Sequence, residues 1–226
     1  GKTGINKSYG KNLVGSFYQP DMVISDIDIL QSLNLREIIC GYAEIVKSSL
    51  IDSIKNFKYL DKNLSEIINL KQPFIEKAIL NSCKLKKKIV QKDESENNLR
   101  KVLNLGHTFA HAYEAHLGFA NKLNHGEAVI IGLKNAVKLS NKYKLMNNIS
   151  YNLITNHLDK IPLNKSFKQL FKIKDIDKII SFMKSDKKNN SKNINIILIQ
   201  NFGKIKINHQ IKQTALKKFL TSELNN

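Results

Sequence analysis

Two histidines four residues apart, His107 and His111, stand in the run Leu103-Asn-Leu-Gly-His-Thr-Phe-Ala-His-Ala-Tyr-Glu114. On an α-helix that spacing puts both imidazoles on one face, where both can reach one metal ion, or one can bind metal while the other handles a proton. His125 follows in Asn124-His125-Gly-Glu-Ala128, at a helix start whose free N–H groups can also receive an anion. Upstream, Ala43-Glu44-Ile-Val-Lys47 sets a carboxylate and an ammonium three residues apart on one helical face, and Glu44 is a candidate oxygen ligand. One glutamate with two histidines makes the mixed oxygen and nitrogen set of a catalytic zinc site, which keeps a coordination position open for substrate. Plainer readings compete residue by residue. Most single histidines are structural, and a Glu with a Lys three residues later is most often a surface pair. His116, His157 and His209 stand in no comparable context and are assigned no role.

These side chains must be carried by helices. From Arg36 to about Phe57 apolar residues recur at Ile38, Ile39, Tyr42, Ile45, Val46 and Leu50, at spacings of three and four. Pro73 fits the first turn of a second helix, with Phe74, Ile79, Leu85, Ile89 and Val90 inward and a charged outer face. Further helices are predicted over 106–117, 126–144, 149–159, 175–184 and 214–224. The first 35 residues differ in kind: they hold four of the ten glycines, a Gln19-Pro20 turn, and a run from Met22 to Ile27 that alternates like a strand. Near the end, Asn195 to Gln200 and Ile205 to Ile207 flank Asn201-Phe-Gly203, a hairpin signal. No internal repeat is present. The expected fold class is mostly α: a helical domain over 36–226 with a small C-terminal β-hairpin, preceded over 1–35 by the edge of an α/β domain.

With 226 residues, 42% of them hydrophobic, the chain can bury a real core and is too apolar for intrinsic disorder. It has no run of about 18 uninterrupted apolar residues, and its opening Gly1-Lys-Thr-Gly4 has no basic segment leading into an apolar one, so neither a membrane span nor a secretory signal is expected. Cys40 and Cys83 lie far apart in sequence, which argues for a reduced, cytoplasmic setting over a disulfide framework. The net charge of +18 is uneven: residues 1–127 carry 18 basic and 14 acidic side chains, residues 128–226 carry 19 and 5. The later lysines, among them Lys134, Lys138, Lys142, Lys165, Lys168 and Lys172, are spread along helical segments and read first as a solvated face. A basic nucleic-acid-binding protein is the alternative from another class. It is weakened by the presence of only two arginines, Arg36 and Arg100, and no dense basic tract.

Several words of this sequence together resemble the 3-dehydroquinate synthase family. They are Gly1-Lys-Thr-Gly-Ile-Asn6, Gly10-Lys-Asn-Leu-Val-Gly-Ser-Phe-Tyr-Gln-Pro20, Ala43 to Lys47, Asp93-Glu94 with Arg100, Leu103 to Phe109, His125-Gly-Glu-Ala-Val129 and Asp186-Lys-Lys188. The resemblance runs nearly from end to end and covers the C-terminal part of that enzyme. It implies the metal-binding helical domain of a two-domain α/β plus α enzyme, expected here as the later portion of a longer polypeptide whose NAD-binding half, with its glycine-rich phosphate turn, precedes Gly1. The metal ligands it implies are Glu44, His107 and His125, holding zinc or cobalt, with His111 handling protons near the substrate instead. The substrate-contact positions it implies are Lys2, Lys47, Lys86, Arg100, Asn104 and one of Lys187 and Lys188. The NAD positions are Lys2, Lys11, Asn12 and the segment Ile29, Leu30, Gln31 and Ser32. The implied activity converts 3-deoxy-D-arabino-heptulosonate 7-phosphate to 3-dehydroquinate with release of phosphate, a step of the shikimate route to aromatic amino acids, in a homodimer when full length. Other sugar phosphate cyclases and metal-dependent polyol dehydrogenases of the same two-domain plan are the near alternatives. Arg100 and Asn104 ahead of Gly106-His107 favour the synthase. A small-molecule substrate of this kind leaves no part for nucleic acid or membrane.

Overall fold

A computed structural model describes residues 4–7, 10–16, 18–118, 122–185 and 193–225. The chain forms two compact units, Gly1–Ser32 and Leu33–Asn226. In the first, strands β1 (Ile5–Lys7) and β2 (Gly10–Val14) pair antiparallel, with Ile5 opposite Val14, and a 3-10 turn covers Asp28–Ser32. The strand expected over Met22 to Ile27 does not form. Met22, Val23 and Ile24 are 73–81% exposed, and Asp26 Oδ1 instead accepts the Asp28 N–H at 3.0 Å, which turns the chain. A strand needs a ladder partner as well as alternation, and none lies beside this segment among the described residues.

The second unit is helical, as its sequence pattern requires. Helix α1 (Leu35–Asp52) starts at Asn34, whose side chain accepts the Glu37 N–H at 3.1 Å, and buries Ile39, Tyr42, Ala43, Val46 and Leu50. It stops at Ser53, where the backbone becomes extended, and Ser53 then caps α2 (Ile54–Lys62) through the Asn56 N–H. One continuous helix to Phe57 was the expectation; Ser53 splits it by offering its hydroxyl to the next helix's first turn. The short α3 (Leu64–Ile68) follows, then α4 (Phe74–Lys92), which Pro73 immediately precedes. Its inward residues are Ile75, Ala78, Leu85 and Ile89; Phe74, Ile79 and Val90 are only half-buried. Next come a 3-10 turn over Leu99–Asn104, α5 (His107–His116), α6 (His125–Lys142), α7 (Asn148–Lys160), the one-turn α8 (Phe167–Leu170) and α9 (Ile176–Ser185). Strands β3 (Asn193–Asn201) and β4 (Lys204–Lys212) form the expected hairpin, longer than the sequence signal, and α10 (Gln213–Asn225) closes the described chain.

Helix α6 is the centre of the unit, with Ala128, Val129, Ile130, Leu133, Ala136 and Val137 wholly buried. Helices α1, α5 and α7 and strand β3 pack around it. The hairpin turn locks onto the C-terminal end of α1. Gly203 (φ +73°) donates its N–H to Leu50 O at 3.0 Å and leaves no room for a side chain against Asp52 O, while Phe202 meets the Phe57 ring with centroids 5.0 Å apart. No helix is long and apolar enough to cross a membrane among the described residues, and Cys40 and Cys83 are free thiols.

Candidate metal centre

The three segments that carry the candidate ligands converge because glycine lets their backbones approach. Gly126 lies so close to Cys40 on α1 that a Cβ would overlap the Cys40 backbone, and its N–H points to Cys40 Sγ at 2.9 Å. Gly132, two turns further along α6, faces the Gly106 carbonyl with equally little room. Gly106 itself has φ +78°, a left-handed conformation that starts α5 and sets His107 as its first residue. The start of α6 is fixed twice over. Asn124 and Glu127 form a capping box, and Arg36 on α1 grips Glu127 in a bidentate pair, Nε to Oε1 at 2.8 Å and Nη2 to Oε2 at 2.6 Å. Burial would raise the Glu127 carboxyl, but the Arg36 hydrogen bonds and the Asn124 amide outweigh it and hold the group below the usual carboxylate range.

Glu44, His107 and His125 thereby each bring one donor atom within 4.8 Å of the others. Glu44 Oε1 lies 3.6 Å from His107 Nε2 and 3.8 Å from His125 Nε2. That oxygen is buried and has no hydrogen-bond partner among the described residues. Its sister Oε2 accepts from Lys47 Nζ at 2.6 Å. An orphaned carboxylate oxygen facing two imidazole nitrogens is costly on its own and is satisfied by a divalent cation, so the residues present fit a metal ion. His107 Nδ1 lies 3.3 Å from the Leu105 carbonyl, which can take only a donated proton there and so leaves Nε2 unprotonated toward Glu44. Burial, the Lys47 ammonium and the neighbouring His111 push the His107 pKa down to about 2, so the ring is neutral at any ordinary pH. His125 Nδ1 lies 3.2 Å from Oε2 of Glu114, a residue 3% exposed.

The other expected site residues fall into four groups. Lys47 and His111 are beside the cluster, and the charge of Lys86 is felt at Lys47. Lys47 is buried, its ammonium pKa lowered by burial and, less strongly, by the charge of Lys86, with Glu44 pulling the other way. His111 is exposed, its ring 5.2 Å from that of His107 and stacked at 6.1 Å on that of His125. Arg100 and Asn104 instead engage the loop before them: Arg100 Nη1 donates to Glu94 O at 2.6 Å, and Asn104 Nδ2 to Glu96 Oε1 at 2.8 Å. Asp93 builds that loop by accepting the N–H groups of Asn97, Asn98 and Arg100 at 2.8–2.9 Å. Ile29, Leu30, Gln31 and Ser32 form the 3-10 turn of the first unit, and its side chains are exposed or half-buried. The backbone of Lys11 and Asn12 lies in β2, while Lys2, Lys187 and Lys188 lie outside the described residues.

Sequence reasoning gave no part to Arg36, Leu105, Glu114 or Glu127. Glu114 carried a local signal: it is four residues past Ala110 and seven past His107, hence on the His107 face of α5. The Arg36–Glu127 clamp joins positions far apart in sequence and had none.

Comparison with known proteins gives the following. A family model described as 3-dehydroquinate synthase C-terminal matches residues 41–189, and one described as 3-dehydroquinate synthase N-terminal matches residues 1–40. A 3-dehydroquinate synthase of Pelagibacter ubique (strain HTCC1062) is 50% identical over 224 residues, covering 99% of this chain and 61% of its own length. Another, of Thermoanaerobacter sp. (strain X514), is 39% identical over 217 residues, covering 96% and 60%. The chain thus spans about three fifths of the curated relatives it matches. Among solved structures, a 2-deoxy-scyllo-inosose synthase complexed with carbaglucose-6-phosphate, NAD+ and Co2+ superposes with a TM-score of 0.83 at 27% identity, over 98% of this chain and 62% of that one. A 2-epi-5-epi-valiolone synthase from Streptomyces hygroscopicus subsp. jinggangensis 5008, with NAD+ and Zn2+ bound, shares the fold at a TM-score of 0.82 and 20% identity, over 98% and 60%.

Proposed function

The chain belongs to the 3-dehydroquinate synthase family, and from that premise we propose that it supplies the metal centre and much of the substrate site for conversion of 3-deoxy-D-arabino-heptulosonate 7-phosphate to 3-dehydroquinate and phosphate. The observation that carries the reading is the orphaned Glu44 Oε1 facing Nε2 of both His107 and His125. Glu44, His107 and His125 would hold the divalent cation, which would supply Lewis acidity toward substrate hydroxyls. Zinc and cobalt both suit this donor set, and each accompanies a solved structural neighbour. Lys2, Lys11, Asn12 and Ile29 to Ser32 are the positions that would hold NAD, which would supply reversible hydride chemistry when bound.

The chain's own residues do the rest. Lys47 neutralises the Glu44 oxygen that faces away from the histidines, which keeps the carboxylate fixed in rotamer. The clustered cations Lys47 and Lys86, with Lys2, Arg100 and one of Lys187 and Lys188, meet a substrate that is anionic at both its carboxylate and its phosphate. Arg100 and Asn104, anchored to Glu94 O and Glu96 Oε1, are the further substrate-contact positions of this reading. His111, exposed beside the ligand histidines, passes protons during elimination, ring opening and aldol closure, steps in which positioning carries most of the rate. The family reading also implies a homodimer in a cytoplasmic setting.

The test is phosphate release. The chain, fused to the part of the Pelagibacter ubique relative that the match leaves uncovered, is incubated with the heptulosonate 7-phosphate, NAD and Zn2+ or Co2+. Stoichiometric phosphate and 3-dehydroquinate are expected. Release from a hexose 6-phosphate and none from the heptulosonate would assign the chain to another sugar phosphate cyclase.

A further inference from the structure

His125 is the most exposed of the two histidines in the cluster, its side chain 39% accessible against 10% for His107. A half-exposed imidazole can flip about its bonds and exchange tautomers, and only one of those states aims a lone pair at Glu44. His107 is held by the Leu105 carbonyl at Nδ1. The matching place on His125 is taken by a carboxylate, Glu114 Oε2, 3.2 Å from Nδ1. Glu114 lies on α5, two turns past His107 on the same face, so one helix supplies both a candidate ligand and the group that faces the other candidate ligand's far nitrogen. An ionised Glu114 can only accept here, which puts the proton on Nδ1 and leaves Nε2, the nitrogen 3.8 Å from Glu44 Oε1, free to bind a cation.

We propose that Glu114 is a positioning residue that locks His125 into the tautomer and ring orientation presenting Nε2 to the metal, and that it strengthens metal binding through that ring without touching the ion. The proposal rests on the reading of Glu44, His107 and His125 as the ligands. An orienting carboxylate behind a metal-bound histidine is expected to contribute about 10- to 100-fold in affinity.

The experiment compares the 226-residue chain with its Glu114→Ala, Glu114→Gln and His107→Ala variants. Zinc affinity is measured by competition with a chromophoric chelator, and the His125 tautomer by long-range 15N–1H spectra of the metal-free, histidine-labelled chains. Expected are a 10- to 100-fold weaker zinc affinity in Glu114→Ala and a smaller loss in Glu114→Gln, whose amide oxygen still accepts from Nδ1 without the charge. The spectra should show a fixed Nδ1–H tautomer in the wild type, retained in Glu114→Gln and mixed in Glu114→Ala. Should Glu114→Ala not fold, the Gln variant, which keeps the volume, decides through its affinity. Zinc affinity within twofold of wild type in the folded variants, or an unchanged tautomer in folded Glu114→Ala, overturns the proposal. Undiminished zinc binding by His107→Ala instead overturns the ligand reading on which it stands.

Discussion

At the level of single residues, the proposed ligand and proton-handling roles divide three neighbouring histidines. His107 and His111 share a helical face, but among the described residues it is His107 and His125 that join Glu44 in a group of donor atoms close enough to hold one ion. We expect His107→Ala to abolish bound metal, and His111→Ala to retain it while losing turnover; elemental analysis of the purified variants, paired with phosphate release by the same variants in the fused protein, reads both. Equal metal loss in the two would remove His111 from its proton-handling role. The i, i+4 spacing of the histidines was legible in the sequence because it is a property of one helix. The choice between His111 and His125 was not legible from spacing, because Glu44 and His125 meet only through the packing of α1 on α6. Family resemblance supplied that choice. It supplied nothing on the atoms behind the histidines, since a backbone carbonyl such as that of Leu105 leaves no trace in residue type.

At the level of elements, the centre depends on how closely α1, α5 and α6 approach. A methyl at position 126 would overlap the Cys40 backbone, and backbone cannot step aside as a side-chain tip can. Gly126→Ala is therefore expected to cost about 1–3 kcal/mol of unfolding free energy and to weaken zinc binding as well, because the strain falls one residue from His125. Urea denaturation and chelator competition measure the two effects; an unchanged midpoint would show that α1 and α6 yield without cost. The long helices α4, α5, α6 and α7 were legible as helices in the sequence, and the start of α1 as well; α1 buries one face, whereas α6, at the centre, is buried nearly all round. Three features were not. Ser53 serves two helices at once, the 22–27 segment alternates without a partner strand, and α8 is a single turn set by the Ser166–Gln169 capping box rather than by periodicity.

On the scale of the whole molecule, the excess lysine and the chemistry are largely separate. The segment bearing the metal centre is close to charge-balanced, and of the later lysines, Lys134 and Lys138 are paired with Asp159 and Glu223. Stability should depend on acid through a buried group remote from the metal. His157 is fully buried on α7, its Nδ1 3.0 Å from Asp61 Oδ1 and its Nε2 3.0 Å from the Tyr42 hydroxyl. Burial lowers its pKa, and the hydrogen bond to Asp61 offsets only part of that. A depressed pKa means that the unfolded chain takes up this proton first. The contribution is present above the ordinary histidine value of about 6.5 and is lost as pH falls below it. Metal-free wild type should accordingly lose more stability between pH 7.5 and 5.5 than His157→Gln does, by urea titration; parallel losses would place the acid sensitivity elsewhere. The whole account turns on one cation held by residues from three separate segments. Anomalous diffraction at the zinc edge from zinc-loaded crystals tests this most directly. The account requires a single strong peak about 2 Å from a Glu44 carboxylate oxygen and from Nε2 of His107 and of His125, and a peak centred on His111, or none at this cluster, would contradict it.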